Sequence, residues 1–357
     1  MRPQLRVAVA LVCVLALHSS LCGQSLRDTA AKAGVLVGAA ARPEQLTEPA
    51  YAAALGREFN MLEPENSLKW ESIHPEPDRF DFAAGDRLVE FAAAHGMKVR
   101  GHTLVWHQQN PAWLTAEKRT PEQLAQLLEL HIKTVVSHYR GKVFAWDVVN
   151  EAFDEGKNEG QLRATIWRNQ PGIGMAENGY AYIEQCFRWA HAADPDALLF
   201  YNEAGAEAMN RKSDAIYAMV RDFRRRGVPI DGVGLQMHTF NFHPDVASIS
   251  ANIARLTALG VQVHITELDV AVPLDEHGVA RAEDLQSQAD TYRRIVDACL
   301  AHKGCTAIQT WGFTDKYSWI PWFTKHKQGA ALLLDREYRP KPSYTAVSAA
   351  LLAKSAR

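Results

Sequence analysis

Residues 99–149 decide the fold: VRGHTLV (99–105) reads as a strand, PEQLAQLLELHIKTVVSHY (121–139) as a helix, and FAWDVV (144–149) as a second strand. Apolar side chains recur at helical spacing in the middle segment and β-branched residues crowd the outer two. Outward from this unit the alternation continues. Predicted strands are 35–39, 59–62, 99–105, 144–149, 198–201, 232–236, 262–266 and 307–310. Helical patterns lie between them at 86–95, 121–139, 180–193, 213–226, 246–259 and 285–302. Gly96, Gly141, Gly227, Gly260 and Gly304 close five of these helices and Asp194-Pro195 the sixth, as helix ends prefer. Eight strands alternating with helices predict an α/β fold, a single-domain (β/α)8 TIM barrel. A doubly wound sheet is the rival, but no Gly-rich phosphate turn follows the first strand.

The rest of the sequence narrows the class. The 357 residues carry 39 Lys plus Arg against 41 Asp plus Glu, a net charge of −2, and 47% of them are apolar. That composition excludes a disordered chain, and the lack of any basic run argues against a nucleic-acid binder. Arg2 and Arg6 precede an apolar run from Val7 to Leu17 and the small polar Ser19 and Ser20. This pattern predicts a cleaved signal peptide over 1–23, a catalytic domain over 24–357, and a secreted protein, extracellular or periplasmic, without a membrane anchor. Cys299 and Cys305 are near enough to bridge in an oxidising compartment, while Cys186 reads as a buried thiol. No CxxC or HExxH spacing occurs, so no metal site is expected.

In such barrels chemistry sits at the carboxyl ends of the strands. Those ends carry Glu65, Asn66, Lys69 and Trp70 after strand two, then His102, Trp106 and His107 after strand three. Strand four ends in Trp146-Asp147-Val148-Val149-Asn150-Glu151, and strand five in Tyr201-Asn202-Glu203. Strand six gives Gln236-Met237-His238, strand seven Thr266-Glu267-Leu268-Asp269, and strand eight Trp311 with Trp319 and Trp322 beyond. Any one of these could be a capped helix start or a satisfied polar residue. Seven successive strand ends with the same excess predict a ligand site. Trp faces suit the apolar faces of sugar rings, and amides, His, Lys and carboxylates suit dense hydroxyls. Carboxylates on strands four and seven face each other across the mouth, which suggests glycoside hydrolysis.

At these residues the chain resembles glycoside hydrolase family 10, the β-1,4-xylanases, over about Leu26 to Leu352. The motifs are Glu65-Asn66-Ser67-Leu68-Lys69-Trp70, Gly101-His102-Thr103-Leu104-Val105-Trp106-His107, Trp146 to Ala152, Gly234 to His238, Ile265 to Asp269, Trp311-Gly312 with Ser318-Trp319, and Lys341-Pro342-Ser343-Tyr344. The resemblance implies retaining endo-cleavage of xylan and xylo-oligosaccharides without a cofactor, and a monomer is expected. It makes Glu151 the acid/base, at a site that should raise its pKa, and Glu267 the nucleophile, held ionised by His238 with Asp269 behind it. It assigns sugar contacts to Asn150, Lys69, His102, Trp106, Gln236, Glu65 and Asn66, aromatic walls to Trp311 and Trp319, and support to His107 and Asn202. Trp319 would fill the space that the hydroxymethyl group of glucose needs.

Two departures stand out. Where many relatives have Asn-Asp-Tyr-Asn, this chain has Asn202-Glu203-Ala204-Gly205, so the Tyr that stacks on the leaving sugar is missing and weaker leaving-side binding is expected. The stretch Gly174 to Gly179 lengthens the connection before Tyr180 and is expected to reshape the same side of the cleft. Alternatives are a retaining β-glucanase on the same type of barrel and a silent sugar-binding barrel. The presence of Glu151, Glu267, Asn150 and His238 argues against the second.

Overall fold

The computed structural model describes residues 24–240 and 243–356. The expected signal peptide lies outside the described residues. Among those described, no helix is long and apolar enough to cross a membrane.

Eight parallel strands close on themselves: β1 (Leu36–Ala41), β2 (Met61–Pro64), β3 (Lys98–Val105), β4 (Val143–Asn150), β5 (Leu198–Glu203), β6 (Gly232–Leu235), β7 (Gln262–Val270) and β8 (Cys305–Thr310). Each pairs with its successor, and β8 pairs with both β7 and β1. The predicted barrel is therefore present. All eight strands overlap the expected ones, several running two to four residues further, and β2 alone is displaced as a whole, by two residues. Phe59 and Asn60 precede β2 instead of opening it, because Phe59 N–H still donates to Leu55 O of the preceding helix and the Asn60 side chain accepts the Val37 N–H at 2.8 Å.

The helix Pro121–His138 shows why the outer layer forms. Thr120 caps it, its hydroxyl accepting from Gln123 N–H while Gln123 Oε1 accepts from Thr120 N–H. Pro121 sits in the first turn, where a missing N–H costs nothing. Leu124, Leu128, Ile132, Val135 and Val136 recur at helical spacing and are buried against the barrel. Losing a cap of this kind costs about 1 kcal/mol. Three helices of eight residues or more lie outside the predicted set: α1 (Leu26–Ala33), α2 (Pro49–Glu58) and α3 (Pro342–Ser355). They converge on one buried carboxylate: Glu58 Oε2 accepts from Leu26 N–H at 3.1 Å and from Tyr344 Oη at 2.7 Å. The first and last described helices are thus fastened together at the seam where β8 meets β1.

Cys299, near the end of Ala282–Leu300, and Cys305, opening β8, form a disulfide. A ring this small contributes roughly 2 kcal/mol by loop entropy. Cys186 is fully buried, and burial pushes its thiol well up.

Candidate active site

Glu151 follows the last residue of β4. In a regular strand Asn150 and Glu151 would point to opposite faces. Glu151 instead takes φ +54°, a left-handed conformation uncommon for a non-glycine residue. The break in alternation brings both neighbours to one partner: Gln236 Nε2 lies 2.9 Å from Glu151 Oε1 and 3.3 Å from Asn150 Oδ1. Trp106 Nε1 donates to the other Glu151 oxygen at 2.9 Å. The Glu151 side chain is half-buried, open to the mouth yet held at both oxygens.

Glu267 lies within β7, buried, and is held from two sides. His238 Nε2 donates to Oε2 at 3.1 Å and Asn202 Nδ2 to Oε1 at 2.8 Å. Burial alone would raise its pKa, but the bond from His238, the electrostatic pull of His102 and His238, and the Asn202 amide outweigh it and hold the carboxyl below the ordinary glutamate range. His238 answers in the opposite sense. Burial disfavours its charge, but Asp269, at 3.0 Å from Nδ1, and Glu267 raise it well above the usual histidine range. The imidazolium donates from both nitrogens.

Asn202 joins the two halves. Its amide reaches Asn150 Oδ1 at 2.9 Å as well as Glu267, and its own Oδ1 accepts from Thr266 Oγ1 at 2.8 Å. Asn150, Asn202 and Gly234 are register partners across β4, β5 and β6. Gly234 is what makes room: a Cβ there would meet Asn202 Oδ1 at 2.1 Å. The carboxylates are thus connected through Gln236, Asn150 and Asn202, three amides whose directions are fixed by their partners. With Asn150 Oδ1 turned inward, its NH2 is the end left for a ligand hydroxyl.

Around this pair the other expected residues gather. Lys69 is buried, its Nζ 3.0 Å from Asn66 Oδ1 and 2.8 Å from Gln109 Oε1, and 4.9 and 5.5 Å from the ring centres of Trp106 and Trp311. Burial lowers its pKa against the pull of Glu267, Glu65, Glu63 and Glu151. Glu65 accepts from Arg42 at 2.5 Å and from Asn66 at 3.3 Å. Trp311 stands edge-on to His102 at 5.4 Å. Trp319 donates from Nε1 to Asp269 Oδ2 at 2.8 Å, so Asp269 anchors both His238 and the Trp319 wall.

Beneath the mouth lies a buried charge cluster that sequence reasoning did not assign. Arg100 on β3 binds Asp147 of β4 through two nitrogens and lies 3.5 Å from Glu63 Oε2. His102 Nδ1 is 3.0 Å from Asp147 Oδ2 and 3.5 Å from Glu63 Oε1. Burial opposes ionisation of Asp147, yet Arg100 and His102 hold its carboxyl low. Burial and that neighbouring negative charge push Glu63 well up. Glu63, His102 and Asp147 have the grouping of a cation site, but the Arg100 guanidinium already supplies the positive charge between the carboxylates. Arg42 and Gln109 were also missed. Arg42 directly follows β1, the one strand end left unread, and Gln109 sits two residues past the His102–His107 motif.

His107 departs furthest from expectation. It contacts Gln108, and it lines a side cavity of about 620 Å³ with Asn110, Thr165 and Pro171, so the long connection after β4 walls that cavity. Burial and the nearby Arg163 lower its pKa. Trp113 packs with Trp70 and His74 in a structural cluster. Ala204 presents no ring, and its carbonyl accepts from Lys212.

A family model described as "Glycosyl hydrolase family 10" matches residues 25–350. The endo-1,4-beta-xylanase B of Thermotoga neapolitana is 45% identical over 325 residues, spanning 90% of each chain. The crystal structure of native xylanase 10B from Thermotoga maritima superposes with a TM-score of 0.87 at 44% identity, over 93% of this chain and 99% of that one. Xylanase 10B from Thermotoga petrophila RKU-1, solved with xylobiose, gives 0.87 at 44% identity over 93% and 98%.

Proposed function

The chain belongs to glycosyl hydrolase family 10, and on that premise we propose that it is an endo-1,4-β-xylanase acting with retention through Glu151 and Glu267. One observation carries the reading: two carboxylates at opposite strand ends, differently held, joined through Gln236, Asn150 and Asn202. Glu267, kept ionised by His238, attacks the anomeric carbon as the bond to the leaving oxygen breaks. Glu151 gives that oxygen its proton. In the second step Glu151 takes a proton from water, whose oxygen displaces Glu267 and regenerates both groups. Asn150 meets the 2-hydroxyl, a contact that strengthens toward the transition state. Lys69, His102, Gln236, Glu65 and Asn66 hold the sugars on the non-reducing side, between Trp106, Trp311 and Trp319.

Xylan is favoured over glucan because Trp319 is fixed at both ends. Asp269 holds its indole nitrogen, and Phe323 and Phe240 lie 4.7 and 6.1 Å from its ring. The relative solved with xylobiose supports the same substrate class. The protein works as a single chain, since every residue of the site comes from one barrel. It is exported by its first 23 residues, for which the charged start and short apolar run are the support.

Hydrolysis of xylohexaose beside cellohexaose, followed by NMR, tests the reading. Internal cuts of xylohexaose giving first the β-anomer, with cellohexaose left intact, are expected. The α-anomer first would rule out retention, and cleavage of cellohexaose would remove the role given to Trp319.

A further inference from the structure

The short helical turn Ile320–Phe323 follows Trp319 and carries the most exposed large apolar residue among those described. Trp322 is 80% exposed and Phe323 55%. A bare indole is unusual on a protein surface, where Trp is highly buried on average. The turn that presents it is firmly fastened. Thr324 Oγ1 donates to Ile320 O at 2.8 Å, and the same oxygen accepts the Gln328 N–H at 3.1 Å. Gln328 and Gly329 pair with Val272 and Pro273, beyond β7, and Gln328 Nε2 donates to Phe240 O at 3.2 Å. Trp322 therefore stands on a braced support.

Its neighbours lead into the site. Residues three and four apart on a helical turn lie side by side, so Trp319, Trp322 and Phe323 share one flank. Phe323 is 4.7 Å from Trp319 and 5.6 Å from Phe240, centre to centre. Phe240 in turn borders a groove of about 290 Å³ with His238, Met237, Thr239, Glu207 and Ala208. Glu207 and Ala208 belong to the segment after β5, in which Ala204 lacks the ring that would stack on the leaving sugar. The aromatic rim thus begins at the wall over the cleavage point and runs along the groove on the leaving side.

We propose that Phe240, Phe323 and Trp322 form an outer leaving-side subsite, in which the exposed Trp322 stacks on a xylosyl unit beyond the cleavage point. This rests on the xylanase reading and deepens it. The ligand is a β-1,4-xylosyl chain, whose unsubstituted ring faces are apolar and whose edges are hydroxylated. The rim supplies, from the segments after β6 and β8, the aromatic surface that β5 does not.

The test is the substrate-length dependence of Trp322→Ala and Trp322→Phe against wild type. An aryl β-xylobioside has no leaving-side sugars, whereas xylohexaose does. Trp322→Ala is expected to leave kcat/KM on the aryl xylobioside unchanged and to lower it on xylohexaose by roughly 3- to 10-fold, through KM, with Trp322→Phe recovering most of the loss. Unchanged kcat/KM on xylohexaose, or equal losses on both substrates, overturns the subsite alone. A wild-type protein that cleaves neither substrate overturns the xylanase reading and the subsite with it.

Discussion

At the scale of single residues, the proposed reaction makes the pairing of Glu267 with His238 set the acid side of activity. In that reaction Glu267 attacks in its ionised form, and its depressed pKa comes from donors that overcome its burial. His238→Asn removes the charge and leaves burial less opposed, so the Glu267 pKa rises. The acid limb of kcat/KM then moves to higher pH by roughly 1–2 units, read from pH–rate profiles of the two proteins. An unmoved limb means that His238 does not set the ionisation of Glu267. The sequence showed which residues meet here because Asn150-Glu151, Gln236-Met237-His238 and Glu267-Leu268-Asp269 each end a strand at the same rim. It did not show their hydrogen bonds, because these depend on backbone details. Glu151 leaves the strand alternation through a positive φ, and Gly234 opens the space that Asn202 crosses. Arg100 and Glu63 stayed hidden for a different reason: they point into the barrel interior, where a lone charge in a strand carries no sign of its partner on the neighbouring strand.

At the scale of elements, β5 and the helix Arg211–Arg226 hold the segment that follows Glu151. Tyr201 Oη accepts the Ala152 N–H at 2.9 Å, and Glu203 Oε2 accepts the Phe153 N–H at 3.2 Å. Tyr201 also donates to Glu203 at 2.5 Å, and Lys212 lies 3.4 Å from its other oxygen. Burial pushes the Glu203 carboxyl up to about 8, with the Glu151 charge adding to it and Lys212, Tyr201 and Phe153 opposing. A carboxyl raised on folding stabilises fully below its unfolded pKa, and that contribution is lost as pH rises through the folded value. Glu203→Gln therefore gains stability relative to wild type between about pH 5 and pH 8, by a few kcal/mol at most. Loss of the contact with Lys212 adds an offset, so the readout is the slope of the Tm difference with pH. Parallel Tm curves contradict this account of Glu203. The strands and six of the outer helices were legible from β-branched runs, caps and closing glycines. Helices α1, α2 and α3 were not, because their role is to close the seam around Glu58, a long-range contact with no local pattern.

At the scale of the whole molecule, closure of the barrel turns separated motifs into one site. Glu151 and Glu267 are more than a hundred residues apart, yet β4 to β7 are successive staves and their ends share one rim. The interior charge cluster of Glu63, Arg100 and Asp147 fixes His102 from below, while the aromatic side chains form the walls above. The fold was readable because eight strands alternate with helices, and the site because seven strand ends repeated one arrangement. The leaving side was not, since Ala204 showed only what is missing and the exposure of Trp322 is invisible until the chain is folded. The central claim is that Glu267 carries the sugar between the two steps. The measurement that tests it most directly is trapping with a 2-deoxy-2-fluoro xylobioside that bears a good leaving group, followed by peptide mass mapping. The account predicts one fluoro-xylobiosyl adduct, on Glu267. An adduct on another residue, or continued turnover in Glu267→Ala, contradicts it.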